Sequence, residues 1–247
     1  MHRFFAEPPV LGLDSFRLDA AESRHASRVL RLRPGDPVEV LDGAGARVEG
    51  RVIEAGPGGL RIQTVRRHLV SPPARPITLV QSMPKGPAME TIIEKALELG
   101  AARIVPVMSS RCEVRIESGA AATRARRWRA TAIAALKQCG APWLPQIDPP
   151  QPLAAYLERP WPAELALLGT LEPDGQPARH WIDAFRRAHG RAPASALIWI
   201  GPEGDFTPGE IQAIRQTGAC PLTLGPHVLR ADTAAIAALA ILQSELA

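Results

Sequence analysis

The chain has 247 residues, 46% of them hydrophobic and 22% charged, a balance ordinary for a globular protein with a sizeable core. Lysine and arginine number 29 against 25 acidic residues, a formal charge of +4 that suits a polyanionic partner without demanding one. There is no apolar run of about eighteen residues, and MHRFFAEPPV lacks the apolar stretch of a signal peptide. A membrane span and export are therefore not expected, and the cytoplasm is the expected location.

Up to about residue 72 the pattern is short and strand-like. HASRVLRLRPGD, from His25, carries Arg28, Arg31 and Arg33 ahead of a Pro-Gly turn. VEVLDGAGARVEGRVIEAGPGGLRIQTV then alternates apolar and polar residues and is broken by Asp-Gly and Pro-Gly-Gly, which predicts a small antiparallel barrel or sandwich. SPPARP at Ser71–Pro76 reads as a linker, because consecutive prolines continue neither a helix nor a central strand.

Beyond the linker the rhythm changes. Apolar runs beginning at Ile77, Arg103, Leu165, Ala196 and Pro221 alternate with helices predicted at Ala88 to Leu99, Ala122 to Cys139, Ala178 to His189, Pro208 to Gln216 and Thr233 to Leu246. Alternation of this kind predicts a parallel sheet covered on both faces. The second helix carries Arg124, Arg126, Arg127, Arg129 and Lys137. Each basic cluster is read either as a solvated face or as a contact to phosphates.

Ligands of parallel sheets bind beyond the carboxyl ends of the strands. Two runs there share a Gly-Pro corner, IWIGPEGDF from Ile198 and LGPHVLRADTAAIAAL from Leu224. Glycine admits close approach to the backbone and proline stiffens the turn, so exposed peptide groups can read an adenine edge; the blander reading is a strand that simply ends. No phosphate-cradling motif is present, and its nearest imitation, DGAGARVEG from Asp42, falls in the hairpin region. Cys112, Cys139 and Cys220 are scattered, the histidines lack metal-ligand spacing, and no G-x-S-x-G occurs, so neither a metal site nor a serine hydrolase is expected.

Along the chain, HASRVLRLRPGD, SMPKGPAMETIIEKALELGAARIVPVMSSRCEV, IGPEGDFTPGEI and LGPHVLRADTAAIAAL together resemble the bacterial ribosomal RNA small subunit methyltransferase E family. The resemblance covers nearly the whole chain. It implies a PUA-like β-barrel over 1–72 and an α/β SPOUT domain over 73–247, whose parallel sheet ends in a deep trefoil knot. It also implies a homodimer that uses S-adenosylmethionine without a metal to methylate N3 of a uridine in the 16S rRNA of the small ribosomal subunit.

Carried over to this sequence, the cofactor pocket is expected from Leu168, Gly169 and Thr170, from Gly201, Pro202, Glu203 and Gly204, and from Leu224, Gly225, Val228 and Leu229. Arg230 is expected to stabilise negative charge on the uracil oxygens, with Asp232 orienting it or capping the last helix. Arg28, Arg31, Arg33, Lys85 and Arg111 are expected to meet RNA. The chain departs from the family pattern at His227, where Arg is usual, at Ala231 and Asp232, where Thr and Glu are usual, and at Asp205, where Gly is usual. Two other readings stay open: a related enzyme acting on another RNA position such as a tRNA ribose, and a non-catalytic rRNA-binding assembly factor.

Overall fold

A computed structural model describes residues 1–8, 10–56, 58–114, 119–158 and 163–246. They form two compact units: Met1–Pro72 with Ile133–Leu144, and Pro73–Ala132 with Pro145–Ala247.

In the first unit, β1 (His2–Phe5), β2 (Ser15–Arg17), β3 (Pro37–Leu41), β4 (Ala46–Gly56) and β5 (Gly59–Leu69) form one sheet in the order β1-β3-β4-β5-β2. Period-two alternation turns Val38, Val40, Val48, Val52, Leu60 and Ile62 into one core with Phe4 and Phe16. The sheet is antiparallel as expected, except that β1 pairs with β3 in parallel, His2 opposite Val38. The long connection between them makes this possible. It holds α1 (Ala20–Arg24), which Asp19 caps, then a π-helical turn over His25–Val29, and Arg31 at φ 54°.

The glycine-rich stretch from Asp42 is the β3–β4 turn, in which Asp42 Oδ1 accepts the N–H groups of Ala44 and Ala46 at 2.8 and 2.9 Å. Glu39, 1% exposed, is held between Arg3, at 2.6 Å, and Arg47. Arg3 also donates to the carbonyl of Gln138 at 2.7 Å, and Gly45 N–H to that of Pro142 at 2.9 Å. Such bonds, rather than chain proximity, group residues 133–144 with this sheet.

The second unit holds β6 (Ile77–Ser82), β7 (Arg103–Met108), β8 (Gln146–Ile147), β9 (Gln151–Pro152), β10 (Leu165–Gly169), β11 (Ala196–Ile200) and β12 (Cys220–Leu222). They pair in parallel in the order β12-β10-β11-β6-β7-β8, with β9 also on β7. The intervening helices are α2 (Ala88–Glu98), α3 (Ala121–Cys139), α4 (Leu153–Leu157), α5 (Ala178–His189), α6 (Pro208–Gln216) and α7 (Ala231–Leu246). Every residue of β11 is buried, as its unbroken apolar run ALIWI requires of a strand covered on both faces.

Register sets Leu168, Trp199, Val80 and Val105 in one row across the sheet. That row packs with Phe206, Ile214 and Tyr156, and Trp199 meets the Tyr156 and Phe206 rings edge-on at 5.7 and 6.5 Å. The helix α7 packs on α2, β6 and β11. Because β10 pairs with both β11 and β12, the carboxyl ends of these three strands lie side by side. The start of α7 differs from expectation: it begins at Ala231, not Thr233, with Ala234 N–H bonded to Arg230 C=O at 2.8 Å.

Candidate active site

A cleft of about 600 Å³, its open mouth included, lies beyond those three strand ends. Gly169, Thr170, Gly201, Pro202, Glu203, Leu224, Gly225, Val228 and Leu229 line it. Two further residues expected there do not. Leu168 is 1% exposed and belongs to the core row beside Trp199, because successive side chains of a strand point to opposite faces. Gly204 instead turns its carbonyl to Arg111. The cleft is completed by Leu171, Ile200, Asp205, His227, Ala231 and Ala234. Ala231 and Ala234 were legible in principle, being three apart on one helix face.

The first corner is clamped by two other loops. Lys85 N–H donates to Glu203 Oε1 at 3.0 Å, and Arg111 Nη1 donates to the carbonyls of Gly204 and Phe206 at 2.7 and 3.4 Å. Asp205 sits at φ 58°, and its Oδ1 accepts the Phe206 N–H at 2.7 Å. A Cβ on Gly201 would lie 2.7 Å from that oxygen, so any side chain there would have to displace the Asp205 carboxylate. Thr207 then opens α6 with a capping box: Glu210 N–H donates to Thr207 Oγ1, and Glu210 accepts the Thr207 N–H at 2.8 Å. The same carboxylate accepts the Ser110 N–H at 2.7 Å.

Charge at this corner follows its contacts. Burial pushes the Asp205 carboxyl above the ordinary value, against its Phe206 hydrogen bond and the Arg111 charge. At Glu210 burial acts in the same direction, but hydrogen bonds from Thr207 and Ser110 outweigh it and hold the carboxyl below its usual range. Lys85 Nζ pairs with Glu113 at 2.6 Å, which raises the ammonium's pKa. Both Lys85 and Arg111, expected to meet RNA, thus have partners within this unit.

The second corner is held by less. Gly225 takes φ 125°, and its N–H reaches Thr223 Oγ1 at 3.3 Å. Val228 is 77% exposed. Arg230 lies between two lining residues, and its side chain is 80% exposed, with Nε on Asp232 Oδ1 at 3.3 Å. Asp232 falls in the first turn of α7, inside the helix, so it is not its N-cap. From there its Oδ1 accepts the Thr233 N–H of the first turn at 2.8 Å as well as the Arg230 Nε–H at 3.3 Å, so it serves both the helix start and the guanidinium.

Arg28, Arg31 and Arg33, in the first unit, are exposed and make no side-chain ion pair among the described residues. The basic helix is different: Lys137 pairs with Glu22 at 2.5 Å, and Arg127 with Glu90 at 3.5 Å. Among the described residues no cluster of potential metal ligands occurs, and no helix is long and apolar enough to cross a membrane.

Residues 71–243 match the model of an RNA methyltransferase domain, and residues 18–65 that of an RNA methyltransferase PUA domain. Ribosomal RNA small subunit methyltransferase E of Mycobacterium bovis is 33% identical over 222 residues, covering 90% of this chain and 83% of its own. The chain belongs to this family. The Synechocystis methyltransferase E is 30% identical over 97% of this chain and 76% of its own. The methyltransferase E from Neisseria gonorrhoeae, solved bound to S-adenosyl methionine, matches with a TM-score of 0.85 at 28% identity, over 99% of this chain and 97% of that one. The fold is therefore a PUA-like domain followed by an α/β methyltransferase domain of SPOUT type.

Proposed function

We propose that the chain transfers a methyl group from S-adenosylmethionine to N3 of a uridine in the 16S rRNA of the small ribosomal subunit. The observation that carries this reading is the cleft at three adjacent strand ends, walled by backbone and apolar side chains, with an exposed arginine at its rim. Those walls fit the cofactor, which has no phosphate to cradle. Gly201 and Gly225, having no side chains, let an adenosine approach the backbone closely, while Ile200, Leu224 and Leu229 offer apolar surface.

The bound cofactor supplies an electrophilic methyl on a sulfonium. The protein's task is to align it with N3 and to favour the anion that forms when N3 loses its proton. Arg230 faces the uracil oxygens in this reading, and Asp232 holds its guanidinium in place. Arg28, Arg31 and Arg33 extend the contact along RNA phosphates, and the target base reaches the cleft flipped or single-stranded. The homodimer and the knotted C-terminal segment belong to the same proposal; the half-buried Ile236 and Ile241 on α7 are consistent with a protein partner.

The test is methyl incorporation into small subunits lacking the modification, with wild type beside Arg230→Ala and the modified nucleoside mapped by mass spectrometry. The expected result is N3-methyluridine, and a loss of about 100-fold in the variant. Undiminished activity of the variant, or a 2′-O-methyl nucleoside in the product, overturns the assignment.

A further inference from the structure

Asp205 is unlike the rest of the cleft wall. It is a non-glycine residue in the left-handed region, at φ 58°, a conformation that costs a side-chain-bearing residue free energy and persists only where its surroundings enforce it. Its carboxylate is half-buried and pinned by one oxygen to the Phe206 N–H. That oxygen rests on Gly201, which itself lines the cleft. Among the described residues nothing donates to Oδ2, and no lysine or arginine lines the cleft. The guanidinium of nearby Arg111 is engaged by the carbonyls of Gly204 and Phe206. The other acid of the wall, Glu203, is exposed and already accepts the Lys85 N–H. Glycine at position 205 would remove both the backbone cost and the burial of a carboxylate.

Resting on the cofactor reading above, we propose that Asp205 makes the cleft select the cationic methyl donor over its spent product. S-adenosylmethionine carries a sulfonium, an ammonium and a carboxylate; methyl transfer turns the sulfonium into a neutral thioether and leaves the other two charges in place. Donor and product thus differ in the cleft chiefly by one positive charge. A fixed carboxylate that no cation pairs with directly among the described residues acts on that charge across the width of a cleft partly closed to water, without direct contact. The residue is a specificity-determining one, and its work is to retain the donor and release the product.

Calorimetry on the full chain tests this with S-adenosylmethionine, S-adenosylhomocysteine and sinefungin, an analogue bearing an amine at the methyl-transfer position. Wild type is expected to bind the donor about tenfold more tightly than S-adenosylhomocysteine. Asp205→Asn keeps the shape and the Phe206 hydrogen bond; it is expected to bring the ratio near one by weakening the donor and sinefungin, with S-adenosylhomocysteine changed less than about twofold. Asp205→Gly, which relieves the backbone, is expected to do the same. An unchanged ratio in both variants, or equal weakening of donor and product, overturns the proposal. Wild type that binds donor and product equally also overturns it while the cofactor reading stands, whereas wild type that binds none of the three overturns the cofactor reading itself.

Discussion

At Gly201–Phe206 and at Gly225–Arg230 the chain leaves a parallel strand or its extension through the same dipeptide, toward the same cleft. At the first, Lys85, Arg111 and Ser110 reach in from sequence-distant loops and fix Glu203, Gly204 and Glu210. At the second, a threonine hydroxyl holds Gly225, and Pro226, His227, Val228 and Arg230 stand exposed before the start of α7. One corner is braced by distant loops; among the described residues the other is held by local bonds alone. Gly-Pro specifies a turn, and distant partners decide how firmly that turn is braced.

The comparison breaks most visibly if Arg230→Ala impairs cofactor binding. Arg230 is outside the cleft, so the variant should lose about 100-fold in methyl transfer with the affinity for S-adenosylmethionine, read by calorimetry, nearly unchanged. Arg111→Ala, on the clamped corner, should instead weaken cofactor binding, because the carbonyls of Gly204 and Phe206 behind the cleft wall lose the donor that braces them. Similar binding in both variants would mean that the corners do not differ in the way described.

Glu210→Ala is expected to cost stability at the first corner alone. It removes the side-chain half of the capping box, in which Glu210 accepts the Thr207 N–H, and the acceptor for Ser110, together about 2 kcal/mol, seen as a lower thermal midpoint. Because the Glu210 carboxyl is held below its unfolded value, the stability it contributes is present above that value and is lost as pH falls through the lowered one. In Glu210→Gln the acid limb of the stability profile should be flatter. No flattening would place the hydrogen bonds' worth elsewhere.

Much of the second unit was legible because its signals are local. The period of the apolar residues, the Pro at the start of α6 and the Gly after α5 mark those helices at Pro208–Gln216 and Ala178–His189. The short pieces β8, β9 and α4 hold too few residues for any period to register. In the site, chain order identified the corners but not what holds them. Glu203 and Lys85 are separated by 118 residues, and Arg111 and Gly204 by 93, so their bonds follow from the sheet order and from no nearby residue. Leu168 was placed in the cleft by the family resemblance, whereas strand alternation turns its side chain into the core.

Asp205→Gly probes the cost of the first corner's own departure. Removing a positive-φ aspartate should stabilise the fold by about 1 kcal/mol, or roughly 2–4 °C in midpoint. Burial raises this carboxyl's pKa, so the fold favours its protonated form; the group's unfavourable effect appears as pH rises and fades on acidification. The variant's advantage should therefore be largest at neutral pH and shrink below it. A destabilised variant would show that the carboxylate's bond to Phe206 outweighs its strain.

The smallest effect is expected at the open corner, from His227→Arg. His227 is exposed and lines the cleft, so an arginine there faces both RNA and cofactor. One further phosphate contact should steepen the logarithmic dependence of RNA binding on salt by about 0.7 for a single strand, raising affinity at low salt and little at high salt. The same cation offsets the charge of Asp205 and should narrow the preference for S-adenosylmethionine over S-adenosylhomocysteine by a few-fold. If the salt slope steepens and the cofactor preference does not move, position 227 addresses RNA alone, and the two corners act on the methyl donor and its acceptor independently.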